Sequence, residues 1–377
     1  MTEVIHIVVG LEIGGAELML KRLVLECAQD QTYKQTVISL TESGAVGEAL
    51  RSEGINVVQM NMRSILGLPV VIYKLVQILK ARQPNAVFTW MYHADLIGGI
   101  AAYISGVRNI IWGVRNTQIP QSTISSTGLI IKLCAFLSYF IPRIIVCNAH
   151  AGRDGHVKLG YCDKKMIVIS NGYDLKLFQP TPELQKAVRK KLGIIETAKI
   201  VGVVGRYDEL KDYHNFVKAI SRVTDRIDNV YFFMVGKGLT KENDELMSWI
   251  YAAKVEDKVI LFGQVNPHDL YAAMDFYCLA SKAEGFPNVV AEAMAMETPC
   301  IVTDVGDAKI IVGDHGKVVP PSDPRQLADA IIEMLEMTDD RAREMGIAAR
   351  ASIIERYSIS KISQEYIQLS CYVKDKE

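Results

Sequence analysis

Short apolar segments alternate with helical patterns along the whole chain, and this alternation limits the fold more than any other feature of the sequence. In the first half the predicted strands are Val4–Val9, Lys34–Leu40, Val57–Met60, Ala86–Trp90, Ile110–Val114 and Ile144–Cys147. Helical patterns lie between most of them. Strands that alternate with helices form parallel sheets with helices on both faces. The first half is therefore predicted to be an α/β unit with a Rossmann-like, doubly wound sheet.

The same pattern restarts in the second half. Its predicted strands are Lys199–Val204, Val230–Val235, Val259–Phe262, Phe276–Leu279 and Cys300–Thr303. The Asn171-Gly172 pair and the proline-flanked segment Gln179–Pro182 interrupt the pattern in the middle of the chain. We place the domain boundary near residue 170. Residues 1–170 and a terminal helix over about 358–377 form one predicted domain, and residues 171–357 form the other, since 377 residues are enough for two.

Composition excludes several classes of protein. The chain is 49% hydrophobic with a net charge of −1, which argues against disorder and gives no basic footprint for nucleic acid. Its seven cysteines contain no C-x-x-C pair, so neither a zinc site nor a disulfide framework is expected. Reduced thiols are typical of the cytoplasm. Met1–Ile7 lacks a basic leader region and is read as a first strand rather than a signal peptide.

Residues 128–147 are the longest apolar stretch. Lys132, Pro142 and Arg143 interrupt it, so it is too broken to span a membrane. The pattern predicts a core helix, Leu129–Phe140, followed by a buried strand. A second interpretation places one face of that helix in a membrane interface.

Glu284 and Glu292, separated by seven residues, have the sequence context of a ligand clamp. Gly285 permits close approach of the backbone, and Pro287 suits the first position of a helix. The first-turn amides of Asn288–Val290 would attract phosphate. Eight helical residues span roughly 12 Å, which is too far for two carboxylates on one glycosidic oxygen but suits the two ends of a nucleotide sugar. The alternative is an amphipathic helix with two solvated glutamates.

Charged and glycine-containing loops follow other predicted strands. Gly205 and Arg206 follow Lys199–Val204, with Lys211 close behind, and these cations suit a diphosphate. Gly14 and Gly15 follow the first strand and open a helix, which lets backbone approach a phosphate. In each case the alternative is an ordinary loop, and the glycine pair is not a G-x-G-x-x-G fingerprint.

Three further strand ends carry candidate ligand contacts. The backbone of Gln264 and Val265 could read a nucleotide base. His93 could donate to a sugar hydroxyl, and Arg115 could neutralise phosphate or developing charge. We find no D-x-D motif and no cluster with metal-ligand spacing, so no metal and no further cofactor are expected.

Taken together, these motifs resemble the family 4 retaining glycosyltransferases of the GT-B fold. The matching pieces, in the family's order, are Gly14-Gly15-Ala16-Glu17, Asn171-Gly172-Tyr173-Asp174 with Phe178, Gly205-Arg206 with Lys211, Glu284-Gly285-Phe286-Pro287-Asn288, Glu292-Ala293-Met294-Ala295 and Pro299. They extend over essentially the whole chain. The resemblance implies two Rossmann-like domains facing a cleft and a C-terminal helix that returns to the first domain.

The resemblance also implies roles for single residues. Glu284 would hold the donor sugar and Glu292 the ribose, while Arg206 and Lys211 grip the diphosphate. The backbone of Phe286, Pro287 and Asn288 would line the sugar pocket, and Gly14 and Gly15 would approach the phosphate from the first domain. The strand-end and helix-start positions described above add Gly205, Val289, Gln264 and Val265 to the expected donor site. One departure concerns the first domain, because many family members place a histidine where this chain has Arg115 followed by Asn116.

The implied function is retaining transfer of a sugar, of hexosyl or N-acetylhexosaminyl type, from a nucleoside diphosphate sugar. A UDP-sugar is favoured as donor, and a glycan or lipid-linked saccharide in bacterial surface-polysaccharide or lipopolysaccharide biosynthesis as acceptor. The expected location is the cytoplasm, at the inner face of the membrane, and the stretch Lys132–Arg143 is compatible with peripheral contact there. The alternatives are a nucleotide-sugar 2-epimerase of the same fold and a nucleotide-sugar-binding protein without catalysis.

Overall fold

The computed structural model describes residues 2–115 and 126–371. Contacts divide the chain into two compact units, Met1–Tyr173 with Tyr357–Glu377, and Asp174–Arg356. Each unit contains one parallel sheet with helices on both faces, which confirms the predicted α/β class. Asn116, which follows Arg115 in the departure from the family pattern, lies outside the described residues.

The first unit contains a seven-stranded parallel sheet. Its strands are β1 (Thr2–Val8), β2 (Tyr33–Ser39), β3 (Asn56–Gln59), β4 (Ala86–Trp90), β5 (Ile110–Val114), β6 (Ile144–Cys147) and β7 (Met166–Val168). The strand order is β3-β2-β1-β4-β5-β6-β7, so the winding direction reverses between β1 and β4. Sequence analysis missed β7, because three residues are too few for a periodic signal.

Helices cover both faces of this sheet. They are α1 (Gly15–Cys27), α2 (Gly44–Ser52), α3 (Leu68–Arg82), α4 (Tyr92–Ile104), α5 (Ser126–Leu137) and α6 (His150–Lys158). The inward faces of α3, α4 and α5 share one hydrophobic cluster with the sheet. The inward faces of α1 and α2 contribute to a second cluster on the opposite face. The sheet is therefore buried on both sides, as continuous apolar strands require.

The second unit contains a six-stranded parallel sheet. Its strands are β8 (Lys199–Val204), β9 (Val230–Val235), β10 (Val259–Gly263), β11 (Phe276–Leu279), β12 (Cys300–Thr303) and β13 (Gly316–Val319), in the order β10-β9-β8-β11-β12-β13. Its helices are α7 (Pro182–Lys191), α8 (Tyr213–Thr224), α9 (Asp244–Ala253), α10 (His268–Ala273), α11 (Asn288–Ala295), α12 (Ala308–Val312), α13 (Pro324–Leu335) and α14 (Asp339–Tyr357). Here the winding reverses between β8 and β11, where doubly wound sheets bind ligands.

The terminal helix α15 (Ile359–Ser370) packs on the first unit, as the resemblance implied. Ile359, Ile362 and Tyr366 are buried in the same cluster as α1. Gly172 permits this packing, since a Cβ there would lie 2.7 Å from Cδ1 of Ile359. The amide of Asn109 donates to the carbonyl of Leu369 at 2.9 Å and holds the end of the helix.

The apolar helix predicted at Leu129–Phe140 is α5, which begins and ends three residues earlier. One face of α5 is buried in the core, as expected of a core helix, but the opposite face is exposed. No helix in residues 2–115 and 126–371 is both long enough and apolar enough to cross a membrane.

Candidate functional site

Lys211 and Glu284 form an ion pair at the carboxyl edge of the second sheet. The ammonium of Lys211 lies 2.6 Å from Oε1 of Glu284, and the hydroxyl of Ser281 donates to the same oxygen at 2.7 Å. Both charged side chains are largely buried, with exposed fractions of 22% and 14%. Desolvation strengthens an ion pair whose geometry is good. The structure thus brings together two residues that the sequence analysis assigned to one ligand.

Local capping shapes the loop that carries Lys211. Asp208 accepts the N–H of Leu210 at 3.0 Å and starts a short 3₁₀ turn, Glu209–Lys211. This hydrogen bond, aided by Arg206, lowers the pKa of Asp208 below its usual value. Asp212 follows with a left-handed φ of 51° and caps α8. The turn is therefore closed at both ends by aspartates that the local sequence supplies.

Two glycines allow the strand-end loops to pack closely. A Cβ at Gly236 would lie 1.9 Å from the carbonyl oxygen of Gly205. A Cβ at Gly306, where φ is 55°, would lie 2.5 Å from the carbonyl oxygens of both Glu284 and Gly285. The N–H of Asp307 also donates to the carbonyl of Gly285 at 2.8 Å. Gly306 therefore supports the Glu284 loop, and sequence analysis missed it although a glycine just after a strand was the available signal.

Helix α11 begins immediately after the Glu284 loop. Pro287 is its N-cap, and Asn288 is its first residue. The sequence analysis had Pro287 at the first position of the helix, and this detail was wrong. Glu292 is the fifth residue of the helix, just over one turn from its start. The helix starts later than expected because Pro287 keeps an extended ψ of 91°.

The carboxylate of Glu292 is oriented by a buried tyrosine. The hydroxyl of Tyr271 donates to Oε2 of Glu292 at 3.2 Å. Burial and the neighbouring Glu292 charge raise the pKa of Tyr271 well above its ordinary value, so the hydroxyl stays a donor. Sequence analysis did not identify Tyr271, since nothing in its local pattern distinguishes it from a core residue.

The remaining predicted donor-site residues lie around this edge with different exposures. The Arg206 side chain is 67% exposed, and its Nε donates to Asp208 at 3.1 Å. Phe286 is buried, whereas Val289 is partly exposed on the first turn of α11. Gln264 and Val265 are exposed in the turn after β10. Arg206 thus pairs with its own loop rather than with the Lys211–Glu284 pair.

The glycine pair of the first unit lies at the start of α1. Gly14 is the N-cap and Gly15 the first helical residue. A Cβ at Gly14 would lie 2.3 Å from Oε2 of Glu17, while a Cβ at Gly15 would meet nothing within 4 Å. The close contact at Gly14 is with the end of the flexible Glu17 side chain rather than with backbone, and Gly15 faces open space.

His93 lies on the first turn of α4 rather than in a loop. It is partly buried, and this burial lowers its pKa. The turn is preceded by Met91, which has an unusual φ of 74°. Asp95, two residues after His93, is fully buried and accepts a hydrogen bond from the hydroxyl of Thr89 at 2.5 Å. Burial raises the pKa of Asp95 to about 8.

Arg115 is buried at the end of β5. Its guanidinium donates to Oδ1 of Asn171 at 2.8 Å and to the hydroxyl of Tyr366. It also lies 4.6 Å from the ring centroid of Trp90. These contacts attach β5 to the terminal helix α15, so Arg115 has a packing role in the first unit. Its contribution to chemistry stays a prediction.

Among the residues that the structure describes, no group of three or more His, Cys, Asp or Glu side chains could hold a metal ion. The positive charges around the Glu284 loop come from lysine and arginine. Besides Lys211 and Arg206, a third cation is Lys282, whose ammonium lies 3.8 Å from Oδ1 of Asp212. The arrangement can bind an anion through side-chain cations and a helix start.

Known proteins resemble this chain in sequence and in fold. The sequence model of "Glycosyltransferase Family 4" matches residues 13–177, and that of "Glycosyl transferases group 1" matches residues 185–352. A crystal structure of Anabaena Alr3699/HepE in complex with UDP superimposes with a TM-score of 0.85 at 22% identity, covering 97% of this chain and 99% of that one.

Two curated relatives illustrate the range of similarity. An Escherichia coli UDP-Gal:alpha-D-GlcNAc-diphosphoundecaprenol alpha-1,3-galactosyltransferase is 25% identical over 320 residues, which is 82% of this chain and 80% of that protein. A Bacillus anthracis N-acetyl-alpha-D-glucosaminyl L-malate synthase is 31% identical over 182 residues, and this match spans only 47% of its length. Since the two family models together account for most of both units, the chain belongs to the glycosyltransferases of the GT-B fold, with a Family 4 first half and a group 1 second half.

Proposed function

We propose that this protein transfers a sugar, with retention of configuration, from a nucleoside diphosphate sugar to a hydroxyl of a glycan or lipid-linked saccharide. The observation that carries the proposal is the contact between Lys211 and Glu284 beside the start of α11. It places a cation, a hydrogen-bond acceptor and the positive end of a helix dipole at one sheet edge. A sugar diphosphate requires these three features.

The diphosphate is held by cations in this proposal. Lys211 carries three donors, so it can keep its bond to Glu284 and donate to a phosphate oxygen at the same time. Arg206 is largely exposed and pairs with Asp208 in its own loop, so its fork can turn toward a second phosphate oxygen. Stabilising the departing diphosphate supplies most of the catalysis.

The sugar and the ribose are held by the two glutamates. Glu284 accepts sugar hydroxyls beside the backbone of Phe286–Asn288, and Glu292 accepts the ribose hydroxyls. The Tyr271 hydroxyl keeps the Glu292 carboxylate in place. Gln264 and Val265 are exposed, so their backbone is proposed to contact the base, for which uracil is favoured. The solved HepE complex with UDP supports this choice by likeness of fold.

Retention in this scheme does not use Glu284 as a covalent nucleophile. One of its oxygens already accepts two hydrogen bonds, from Lys211 and Ser281. Such bonds stabilise the carboxylate and weaken it as a nucleophile. The acceptor hydroxyl would instead attack on the face that the diphosphate leaves, with the departing phosphate taking its proton.

The names of relatives support a proposal for the acceptor class. Their names include a galactosyltransferase acting on a diphosphoundecaprenol-linked sugar and a Staphylococcus aureus capsular polysaccharide glycosyltransferase, CapM. We therefore propose hexosyl or N-acetylhexosaminyl transfer to a lipid-linked or glycan acceptor in surface-polysaccharide synthesis. The proposed location is the cytoplasmic face of the membrane, where nucleotide sugars and such lipids meet.

The test begins with donor binding. Melting temperature is measured with UDP-, GDP- and ADP-sugars, because a ligand that binds the native state raises it. We expect a rise with a UDP-sugar, followed by transfer to a lipid-linked saccharide and an NMR coupling pattern that shows the donor's anomeric configuration in the product. An inverted anomer overturns retention. Conversion of the donor to its 2-epimer without acceptor, or binding without any turnover, overturns the transfer proposal.

A further inference from the structure

Helix α5 is apolar on both of its faces, although only one of them is buried. Ile131, Cys134 and Ala135 are buried against the sheet. Leu129, Leu133 and Phe136 point away from it and are exposed, at spacings of four and three residues that place them on one helix face. A helix that is hydrophobic all round is normally covered on all sides.

The exposed face continues past the end of the helix. We define the apolar patch as Leu129, Leu133, Phe136, Tyr139 and Phe140. Leu129 is 68% exposed, Phe136 64% and Phe140 62%. The rings of Phe136 and Phe140 are 5.4 Å apart, so the side chains form one surface rather than scattered contacts. Contiguous exposed apolar side chains mark interaction sites, whereas single ones need no explanation.

The sequence around the patch is almost free of acidic residues. Between Glu53 and Asp154 the single carboxylate is Asp95, and it is fully buried. The same stretch contains the basic residues Arg63, Lys74, Lys80, Arg82, Arg108, Arg115, Lys132, Arg143 and Arg153. Arg115 is buried, and Arg82 and Arg153 form ion pairs with Glu3, Asp154 and Asp163. The excess of positive charge in this stretch therefore comes from Arg63, Lys74, Lys80, Arg108, Lys132 and Arg143.

Two lysines lie at the patch itself. Lys132 is exposed on α5 beside Leu129 and Leu133. The ammonium of Lys165 donates to the carbonyls of Ser138 at 3.1 Å and Tyr139 at 2.8 Å, just where the helix ends. The patch therefore has an aliphatic and aromatic centre with cations at its middle and at one end.

We propose that the apolar patch docks peripherally on an anionic lipid bilayer. Leu129, Phe136 and Phe140 enter the interfacial layer, and Lys132 and Lys165 contact lipid phosphates. This inference rests on the proposed function, since it names the surface that would bring the protein to a lipid-linked acceptor. Helix α4, which packs against α5, also ends in two exposed apolar residues, Tyr103 and Ile104.

Charge favours lipid over a second copy of the chain. In a two-fold dimer the same patch would face itself, so Lys132 and Lys165 of both copies would be brought together. Like charges in a desolvated interface are destabilising. An anionic bilayer instead supplies the opposite charge and an apolar layer at the same surface.

Vesicle co-sedimentation tests the proposal without any sugar transfer, so its result is independent of the proposed function. The full chain is mixed with phosphatidylglycerol–phosphatidylethanolamine vesicles and with neutral phosphatidylcholine vesicles. The test variants are Phe136→Ser/Phe140→Ser and Lys132→Glu. The matched control is Ile195→Ser/Tyr251→Ser, which removes two equally exposed apolar side chains from the second unit, where they are 61% and 59% exposed.

We expect the wild type and the control to bind anionic vesicles, with binding at least about tenfold weaker for Phe136→Ser/Phe140→Ser and clearly weaker for Lys132→Glu. Binding to neutral vesicles should be weak. Melting curves of each variant confirm that the fold is intact. The proposal is overturned if the wild type ignores anionic vesicles, if the test variants bind like the control, or if the patch variants instead dissolve a dimer seen by light scattering.

Discussion

Lys211 and Glu284 are 73 residues apart in the chain, yet the ammonium of one lies 2.6 Å from a carboxylate oxygen of the other. The contact depends on strand pairing, because β8, which precedes Lys211, lies next to β11, which precedes Glu284. Loops that follow neighbouring parallel strands meet at the same sheet edge. The pair is therefore a product of the point where the winding of the sheet reverses.

The first prediction concerns the charge on Lys211. Lys211→Ala should reduce kcat for sugar transfer by about 100-fold or more, because a donor aimed at developing charge is lost. Lys191→Ala, an exposed lysine on α7, is the control and should behave like the wild type. Steady-state kinetics with a UDP-sugar measure kcat for both variants. Full turnover in Lys211→Ala would contradict the donor-site assignment.

The second prediction concerns the support beneath the Glu284 loop. Gly306→Ala should weaken UDP binding, because its Cβ would lie 2.5 Å from the carbonyl oxygens of Glu284 and Gly285. Gly313→Ala is a matched control, since Gly313 has the same φ of 55° but nothing within 4 Å of its Cβ. Strain at positive φ should destabilise both variants by about 1–2 kcal/mol. Calorimetric titration with UDP should separate them, and equal affinities would show that the loop does not depend on Gly306.

The third prediction separates packing from chemistry at Arg115. Arg115→Ala should lower the free energy of unfolding by about 3 kcal/mol, because it removes the buried guanidinium that donates to both Asn171 and Tyr366. Tyr366→Phe should lower it by about 1 kcal/mol. Arg108→Ala, an exposed arginine of the same unit, is the control. Urea unfolding measures the free energy of unfolding of all three variants.

Activity of these variants, measured well below their melting temperatures, then tests the catalytic assignment of Arg115. If Tyr366→Phe keeps its kcat while Arg115→Lys loses it in a folded protein, Arg115 acts on substrate. If both keep it, Arg115 is a packing residue and the assignment is wrong.

The fourth prediction concerns the buried carboxyl group of Asp95. Burial raises its folded pKa to about 8, from an ordinary value of 3.8. Between these values the folded state binds more protons than the unfolded state, so the contribution of Asp95 to stability falls as pH rises. Compared with Asp95→Asn, the wild type should lose a few kcal/mol of unfolding free energy from pH 4 to 8 and change little outside this window.

Urea unfolding of both proteins at several pH values checks this dependence. Asp257→Asn removes an exposed carboxyl group in the second unit and should leave the pH profile unchanged. Parallel profiles for the wild type and Asp95→Asn would show that Asp95 is ionised in the folded protein. The hydrogen bond from Thr89 is retained in Asp95→Asn, because the amide oxygen can accept it.

The sequence by itself determined the class of the fold and the order of the motifs. Apolar runs bounded by turn residues are local signals, so most strands of both sheets could be located from them. Gly205, Arg206 and Lys211 could be placed after a strand, and Glu284 before a helix, for the same reason. Local signals failed for the very short strand Met166–Val168 and for the exact start of α11, where the backbone of Pro287 decides.

Tertiary structure alone decided which of these residues meet. Pairing of β8 with β11 joins Lys211 to Glu284, and close packing of loops gives Gly306 its role. The terminal helix buries Arg115, and the sheet covers one face of α5 but leaves Phe136 exposed. Hydrophobic periodicity indicates which face of a single helix or strand is buried. It does not record which elements become neighbours, because that depends on contacts between residues far apart in the chain.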